Sequence, residues 1–207
     1  MEPEKKLKFI GITGGVGSGK SKVLEYIGEN YHTMIILADD VANRLKEKGN
    51  KCYDSIVALL GDEVLSEDGE IDKRKMAERI FSDGELLKKV NDILHPATVE
   101  YILDSYAAAE ESGKYELFFV EAALLIENGF KTIVDEMWYV YADISVRKER
   151  LRSSRGYSEE KIKRILASQM SDEEYRKNSD FVIDNSGSIE ETYKQIDRKL
   201  EAYRWRE

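Results

Sequence analysis

The sequence has little of several residue types on which common kinds of site depend. Its 207 residues include one cysteine, Cys52, two histidines and two prolines. A single cysteine excludes an intramolecular disulfide and a cysteine-based zinc site. Two histidines make a histidine-rich metal site unfavourable. The scarcity of proline, with no Ser/Gly/Gln-rich tract, leaves little room for disorder.

A net positive charge and long apolar runs are lacking as well. The formal net charge is −9 at pH 7, whereas binding along a nucleic-acid backbone needs a basic surface. No segment approaches the roughly 18 apolar residues of a membrane span, and the N-terminal apolar run is too short for a signal peptide. These absences predict a cytoplasmic protein that binds neither nucleic acid nor membrane. Small phosphorylated ligands, which need only a local cluster of donors, are not excluded.

What the sequence does contain is an alternation of apolar runs with helical periodicity. Five short, nearly continuous apolar runs predict buried parallel strands, at residues 8–13, 34–38, 116–122, 137–143 and 180–184. Helical spacing follows the first run, and the last segment, 188–205, places apolar residues on one face of a closing helix. The pattern predicts an α/β fold in which helices flank a five-stranded parallel sheet.

Two intervals between the predicted strands are longer than a crossover requires. Residues 41–115 are rich in helix formers, and we expect a helical insertion there. Residues 145–177 are strongly charged, and we expect a second helical excursion. The chain would then be one domain, 1–207, whose core comprises 7–40, 116–144 and 178–207. Its oligomeric state is not predicted.

A glycine-rich loop follows the first predicted strand. The segment GGVGSGKS at residues 14–21 satisfies the pattern G-x-x-x-x-G-K-[ST] of a P-loop, between a strand and a helix as that motif requires. Small side chains let successive backbone N–H groups point inward around an anion, and the following helix adds its partial positive end. Lys20 would reach the β and γ phosphates, and the Ser21 hydroxyl would coordinate Mg²⁺. A nucleoside triphosphate is the predicted ligand; a strand-to-helix turn without a ligand is the alternative.

A phosphate loop of this kind serves kinases, GTPase switches and ATP-driven motors. The Asn-Lys-x-Asp stretch that selects guanine is absent, and the nearest segment, Asp184-Asn185-Ser186, lacks its lysine. A motor would need a larger chain. The size, the insertion and the arginine-rich excursion favour a small-molecule kinase, in which the insertion holds the acceptor and 145–177 forms a lid.

Two carboxylates close the second predicted strand. Asp39 and Asp40 would lie at the edge of the sheet where ligands bind in open α/β folds. A carboxylate there could take the proton from an attacking hydroxyl. The alternative is that one of the pair only caps the following helix.

Several further segments give the sequence a family resemblance. They are, in order, GITGGVGSGKS, ADDVANRL, DGEIDKRKMAERIF, ILHP, VEAALLIENG, KERL, RILASQM and DFVIDNSGS. In this order and over nearly the whole chain, they resemble the dephospho-coenzyme A kinases. The resemblance implies a P-loop kinase-like fold and transfer of the ATP γ-phosphoryl group to the ribose 3′-hydroxyl of dephospho-coenzyme A. It also implies ATP and Mg²⁺ as cofactors and dephospho-coenzyme A as the small-molecule substrate.

The resemblance also implies roles for individual residues. The expected catalytic residues are Lys20, Asp40, Arg150 and Arg155. The expected ATP-binding residues are Gly14, Gly15, Val16, Gly17, Ser18, Gly19, Lys20, Ser21, Lys22 and, near the adenine, Asn185. The expected acceptor-binding residues are Asp40, Arg44, His95, Glu121 and Glu127, and Ser21 is the expected Mg²⁺ ligand. The chain has Arg147 where the family commonly has glutamine.

Alternatives stay open for several of these residues. His95 could instead stabilise a turn before Pro96, and Glu121 could assist Mg²⁺ or cap a helix over residues 122–126. The arginines between 147 and 155 could form a solvated helical face. A kinase for a nucleoside monophosphate and a nucleotide-dependent regulatory protein remain as rival functions.

Overall fold

The sheet follows the predicted strands closely. The computed structural model describes residues 7–81 and 83–204, so the predicted core and closing helix are described as far as 204. The five strands are β1 Lys8–Thr13, β2 Thr33–Leu37, β3 Leu117–Glu121, β4 Glu136–Tyr141 and β5 Phe181–Asp184. They lie in the order β2-β3-β1-β4-β5, and β1 pairs in parallel with β3 and β4, as β4 does with β5. The predicted five-stranded α/β fold is confirmed.

Helices occupy most of the remaining described chain. They are α1 Lys20–Asn30, α2 Ala38–Leu45, α3 Tyr53–Leu60, α4 Lys73–Phe81, α5 Gly84–Ser112, α6 Ile144–Arg155, α7 Glu159–Ala167, α8 Asp172–Lys177 and α9 Ile189–Arg204. Short 3₁₀ helices lie at Asp62–Val64 and Phe130–Thr132. The predicted first and closing helices are confirmed as α1 and α9.

The chain divides into two compact units. The first comprises Met1–Ile35 and Ala109–Glu207. Its core is built from strand residues such as Ile12, Phe119 and Trp138, packed against α1 and α9. β1, β3 and β4 are buried along nearly their whole length, as expected for parallel strands covered on both faces.

The second unit, Ile36–Ala108, overlaps the expected insertion at about 41–115. It has its own hydrophobic core, in which Val41 and Leu45 of α2 pack with residues of α3, α4 and α5 such as Ile56, Met76 and Val90. Helical spacing of these side chains explains the burial, because residues three or four apart share a helix face.

His95 and Pro96 lie inside α5. Proline has no N–H to donate to the carbonyl four residues earlier, yet the helix continues through it. His95 is exposed on this helix. The alternative in which His95 stabilises a turn is therefore wrong, because no turn forms at that point.

Candidate active site

The glycine loop between β1 and α1 has the backbone geometry of an anion cradle. Gly17 and Gly19 have φ angles of 83° and 96°, in the left-handed region that residues with a Cβ rarely adopt. Gly19 forms the N-terminal boundary of α1. At Gly14, a Cβ would lie 2.5 Å from the backbone oxygen of Val140. Gly17 and Gly19 are therefore explained by their backbone conformation, and Gly14 by the close approach of the Val140 backbone.

The N-terminus of α1 is open to an anion. No side chain caps it, and its first turn contains no acidic residue. Ser21, in that first turn, is exposed. In the loop itself the residue Ser18 is 1% exposed, and its buried hydroxyl has no hydrogen-bond partner within the described part of the chain. An uncapped helix start leaves its partial positive charge uncompensated, which suits a phosphate.

Lys20 places a positive charge beside this loop. Its Nζ donates a 2.7 Å hydrogen bond to the Gly14 carbonyl and lies 3.4 Å from the carboxylate of Glu121, at the end of β3. Both side chains are largely buried, at 13% and 16% exposed. Residues after Glu121 form turns, not a helix, so the alternative in which Glu121 caps a helix over 122–126 is wrong.

Arg150 and Asn185 hold the outer side of the loop. Arg150 donates to the carbonyls of Gly17 and Ser18, at 3.4 and 3.2 Å, and to that of Asn185 at 2.9 Å. The Asn185 side chain, 2% exposed, donates to the Ser18 carbonyl at 2.7 Å and accepts from Thr192 at 2.9 Å. The expectation put Asn185 near the adenine, but both ends of its amide are occupied by these contacts with the protein.

Three other expected site residues have exposed side chains. Lys22 is exposed on α1, and a 2.6 Å hydrogen bond to Glu25 raises the pKa of Lys22. Arg155 is the exposed last residue of α6, where its hydrogen bond with Tyr157 lowers the pKa of that tyrosine. Glu127 is exposed within the turns that follow β3. Their roles in ATP or acceptor binding stay predictions.

Three of the expected acceptor residues, Asp40, Arg44 and His95, belong to the second unit, whereas Glu121 and Glu127 belong to the first. Asp39 and Asp40 are both exposed in the first turn of α2, and neither forms a side-chain cap there. Arg44, in the last turn, donates to the Tyr101 hydroxyl at 3.0 Å. His95 lies exposed on α5.

Lys46 of the same unit did not emerge from the sequence. Burial lowers the pKa of Lys46, nearby Lys73 lowers it further, and Asp39 opposes the shift. Lys46 lies in the segment KEKGNK and Lys73 in DKRK. The sequence does not predict that these two lysines approach each other, because their proximity depends on how α2 and α4 pack.

The described residues contain no group of three or more histidine, cysteine, aspartate or glutamate side chains that could hold a metal ion. A metal at this site would therefore need ligands from a bound nucleotide as well as from the protein. In the part of the chain that the structure describes, no helix combines the length and apolar character needed to cross a bilayer.

Known proteins resemble this chain over nearly its full length. The family model for dephospho-CoA kinase matches residues 8–191. The dephospho-CoA kinase of Aquifex aeolicus is 40% identical over 195 residues, which cover 94% of this chain and 97% of the relative. The dephospho-CoA kinase of Carboxydothermus hydrogenoformans is 35% identical over 201 residues, 97% of each chain.

Solved structures support the same assignment of the fold. TT1252 from Thermus thermophilus has a TM-score of 0.80 at 29% identity, covering 95% of this chain and 98% of that chain. A dephospho-CoA kinase from Campylobacter jejuni has a TM-score of 0.70 at 23% identity, covering 93% and 95%. A shikimate kinase from Acinetobacter baumannii, with a TM-score of 0.52 at 13% identity over 96% of each chain, shares the fold alone. With its phosphate loop and the family match over most of its length, this chain belongs to the dephospho-CoA kinase family.

Proposed function

We propose that this protein transfers the γ-phosphoryl group of ATP to the ribose 3′-hydroxyl of dephospho-coenzyme A. The family catalyses the final ATP-dependent step of coenzyme A biosynthesis. The observation that carries the proposal is the loop before α1, where Lys20 lies beside a glycine backbone and an uncapped helix N-terminus. These features supply N–H donors and positive charge where a triphosphate would bind.

ATP binding would change the partners of Lys20. Its ammonium group would turn from the Gly14 carbonyl and Glu121 to the β and γ phosphates. Ser21, exposed in the first turn of α1, would hold Mg²⁺ through its hydroxyl, and Glu121 would assist through a bridging water. When bound, Mg²⁺ would neutralise charge on the phosphate oxygens.

The acceptor would be held by the second unit, Ile36–Ala108. Asp40 would accept the proton of the ribose hydroxyl as its oxygen forms a bond to the γ phosphorus. The bond from that phosphorus to the β–γ bridging oxygen breaks at the same time, and ADP leaves with the electron pair. Arg44 and His95, both on exposed helix faces of this unit, would contact the acceptor.

The lid would be the segment 145–177, which contains α6, α7 and α8. Gly156, with a φ of 61°, ends α6, and Ser158 caps α7. Closure of α7 would exclude water that could otherwise hydrolyse ATP. Arg150 bonds two carbonyls of the loop, and Arg155, the last residue of α6, would reach the transferring phosphate on closure.

We place the reaction in the cytoplasm. The activity would take a small-molecule acceptor, and the net charge of −9 disfavours nucleic acid. Cys52, the sole cysteine, is a free buried thiol, which suits a reducing compartment.

The test is an assay of ADP release by the purified protein with ATP and Mg²⁺. Separate reactions contain dephospho-coenzyme A, AMP, CMP or UMP, and mass spectrometry with 3′-specific phosphatase treatment locates the new phosphate. Stimulation by dephospho-coenzyme A, with a 3′-phosphate product, is expected. Turnover only on a nucleoside monophosphate would assign a different acceptor, and slow ATP hydrolysis without stimulation would indicate a regulatory protein.

A further inference from the structure

The tip of the phosphate loop is held by side chains that do not belong to the loop motif. Arg147 of α6 donates from Nε to the Val16 carbonyl at 3.0 Å, and its terminal nitrogen donates to the side-chain oxygen of Gln169. The same Gln169 oxygen accepts the Val16 N–H at 3.2 Å. Both backbone polar groups of Val16 are therefore bonded to the segment 145–177.

Arg147 is itself firmly held. The residue is 6% exposed, and a buried guanidinium is stable only when its donors find partners. Its third nitrogen lies 3.9 Å from the carboxylate of Asp172, which accepts a 2.6 Å hydrogen bond from the Tyr139 hydroxyl. Burial raises the pKa of Tyr139, and the bond to Asp172 adds to the shift, so the phenol keeps its proton and continues to donate.

Gly15 lacks a side chain for a different physical reason from the other glycines of the loop. Gly14, Gly17 and Gly19 have positive φ angles, and Gly15 does not. A Cβ on Gly15 would lie 2.2 Å from a terminal nitrogen of Arg147 and 2.6 Å from its central guanidinium carbon. The missing side chain makes room for the guanidinium group, so residues 15 and 147 are sterically linked across 132 positions of sequence.

Arg147 and Arg150 lie one helical turn apart, so their side chains leave the same face of α6. Between them they bond the carbonyls of Val16, Gly17 and Ser18. Because inward-pointing N–H groups in such a loop require outward-pointing carbonyls, holding the carbonyls also orients the donors.

We propose that Arg147 is a positioning residue for nucleotide binding, acting together with Gln169 and with the space left by Gly15. It touches no reacting atom. It fixes Val16 at the tip of the loop, so that the donors keep their orientation when no phosphate is present and little reorganisation is needed on binding. The inference rests on the proposed function only in that a nucleotide binds at this loop.

The experiment is a double-mutant cycle between residues 15 and 147. Gly15→Ala, Arg147→Ala and the double variant are compared for ADP dissociation constant by calorimetry, and for the KM of ATP and kcat. Each single variant is expected to weaken ADP binding about tenfold or more, as for loss of a charged hydrogen bond. The double variant should bind ADP no more weakly than Arg147→Ala alone, because the methyl group added at residue 15 then has room.

Two further variants complete the design. Gln169→Ala removes the acceptor shared by Arg147 and Val16, and is expected to raise the ADP dissociation constant in the same direction. Arg152→Ala is the matched control, since Arg152 is exposed on α6 and pairs with Glu149 and Glu159. It should bind ADP within about twofold of the unaltered protein.

The proposal would be overturned if Gly15→Ala reduced ADP affinity equally in the presence and in the absence of Arg147. Unchanged ADP affinity and an unchanged KM of ATP in Arg147→Ala would also overturn it. A purely structural role would lower the melting temperature of the nucleotide-free protein and leave ADP affinity intact. If Arg147→Ala does not fold, Arg147→Lys serves instead, since lysine lacks the planar pair of donors and should not restore affinity. If the unaltered protein binds ADP but does not phosphorylate dephospho-coenzyme A, the proposed function fails, while the cycle still tests Arg147.

Discussion

The Nζ of Lys20 lies 2.7 Å from the carbonyl oxygen of Gly14 and 3.4 Å from the carboxylate of Glu121. The same lysine therefore bonds the first glycine of the phosphate loop and the end of the adjacent strand β3. Glu121 compensates its charge in the absence of a ligand. A triphosphate would compete with these two acceptors for the ammonium group, and its greater charge would win.

Replacing Lys20 by alanine removes the mobile charge of the loop. Lys20→Ala is expected to lower kcat/KM by about 10³-fold, because a fixed donor to a developing phosphate charge contributes on this scale. Lys22→Ala is the comparison, since that side chain pairs with Glu25 on the surface of α1. ADP release under saturating acceptor measures both. Similar losses in the two variants would contradict the assignment of the charge to Lys20.

Asp40→Asn tests the proton acceptor. The change keeps the size of the side chain but removes its basicity, so kcat should fall by about 10²-fold or more while the dissociation constant of ATP stays the same. Asp39→Asn is the matched control, one residue earlier in the same exposed turn of α2. Calorimetry with ATP and the ADP-release assay separate binding from transfer. A large loss confined to Asp39→Asn would move the role of base to Asp39.

Arg150 and Arg155 are both expected to be catalytic, and the structure gives them different surroundings. Arg150 bonds two loop carbonyls and Asn185, whereas Arg155 is exposed at the end of α6. Arg150→Ala should therefore raise the KM of ATP about tenfold or more. Arg155→Ala should leave the KM of ATP near its original value and lower kcat, if it reaches phosphate only on closure. A raised KM in Arg155→Ala with none in Arg150→Ala would reverse these roles.

Because of Glu136, the free energy of unfolding is expected to change with pH in the acid range. Burial alone would raise the pKa of Glu136, but hydrogen bonds from Tyr203, Lys199 and Trp138 outweigh it and lower the pKa to about 2 from 4.5. Because the folded state has the lower pKa, the stabilisation is complete above the unfolded value and is lost as the pH falls toward 2. It amounts to at most about 3 kcal/mol.

The measurement is urea denaturation of the unaltered protein and of Glu136→Gln between pH 7 and pH 3. The difference in free energy of unfolding should be largest at pH 7 and shrink through the range 4.5 to 3. A difference that stays constant over this range would show that the carboxylate charge does not contribute.

Local patterns in the sequence predicted the elements that carry the site. The apolar runs predicted all five strands to within a few residues, because strands buried on both faces need apolar side chains throughout. GGVGSGKS predicted an anion-binding loop between β1 and α1, because that spacing combines small residues with a lysine at a helix start. The family resemblance, drawn from motifs in order, is confirmed by the family match over residues 8–191.

Tertiary packing decided features that no local pattern in the sequence predicts. α5 continues through Pro96 because its apolar face packs in the core of the second unit, where Val90, Leu94 and Ala97 are buried. Arg147 and Gly15, by contrast, share no local pattern. They meet because β1 and β4 are neighbours in the sheet and α6 follows β4, which brings a guanidinium group against the loop after β1. Sequence spacing records periodicity within an element, whereas contacts between elements depend on strand order and on the shape of the packed side chains.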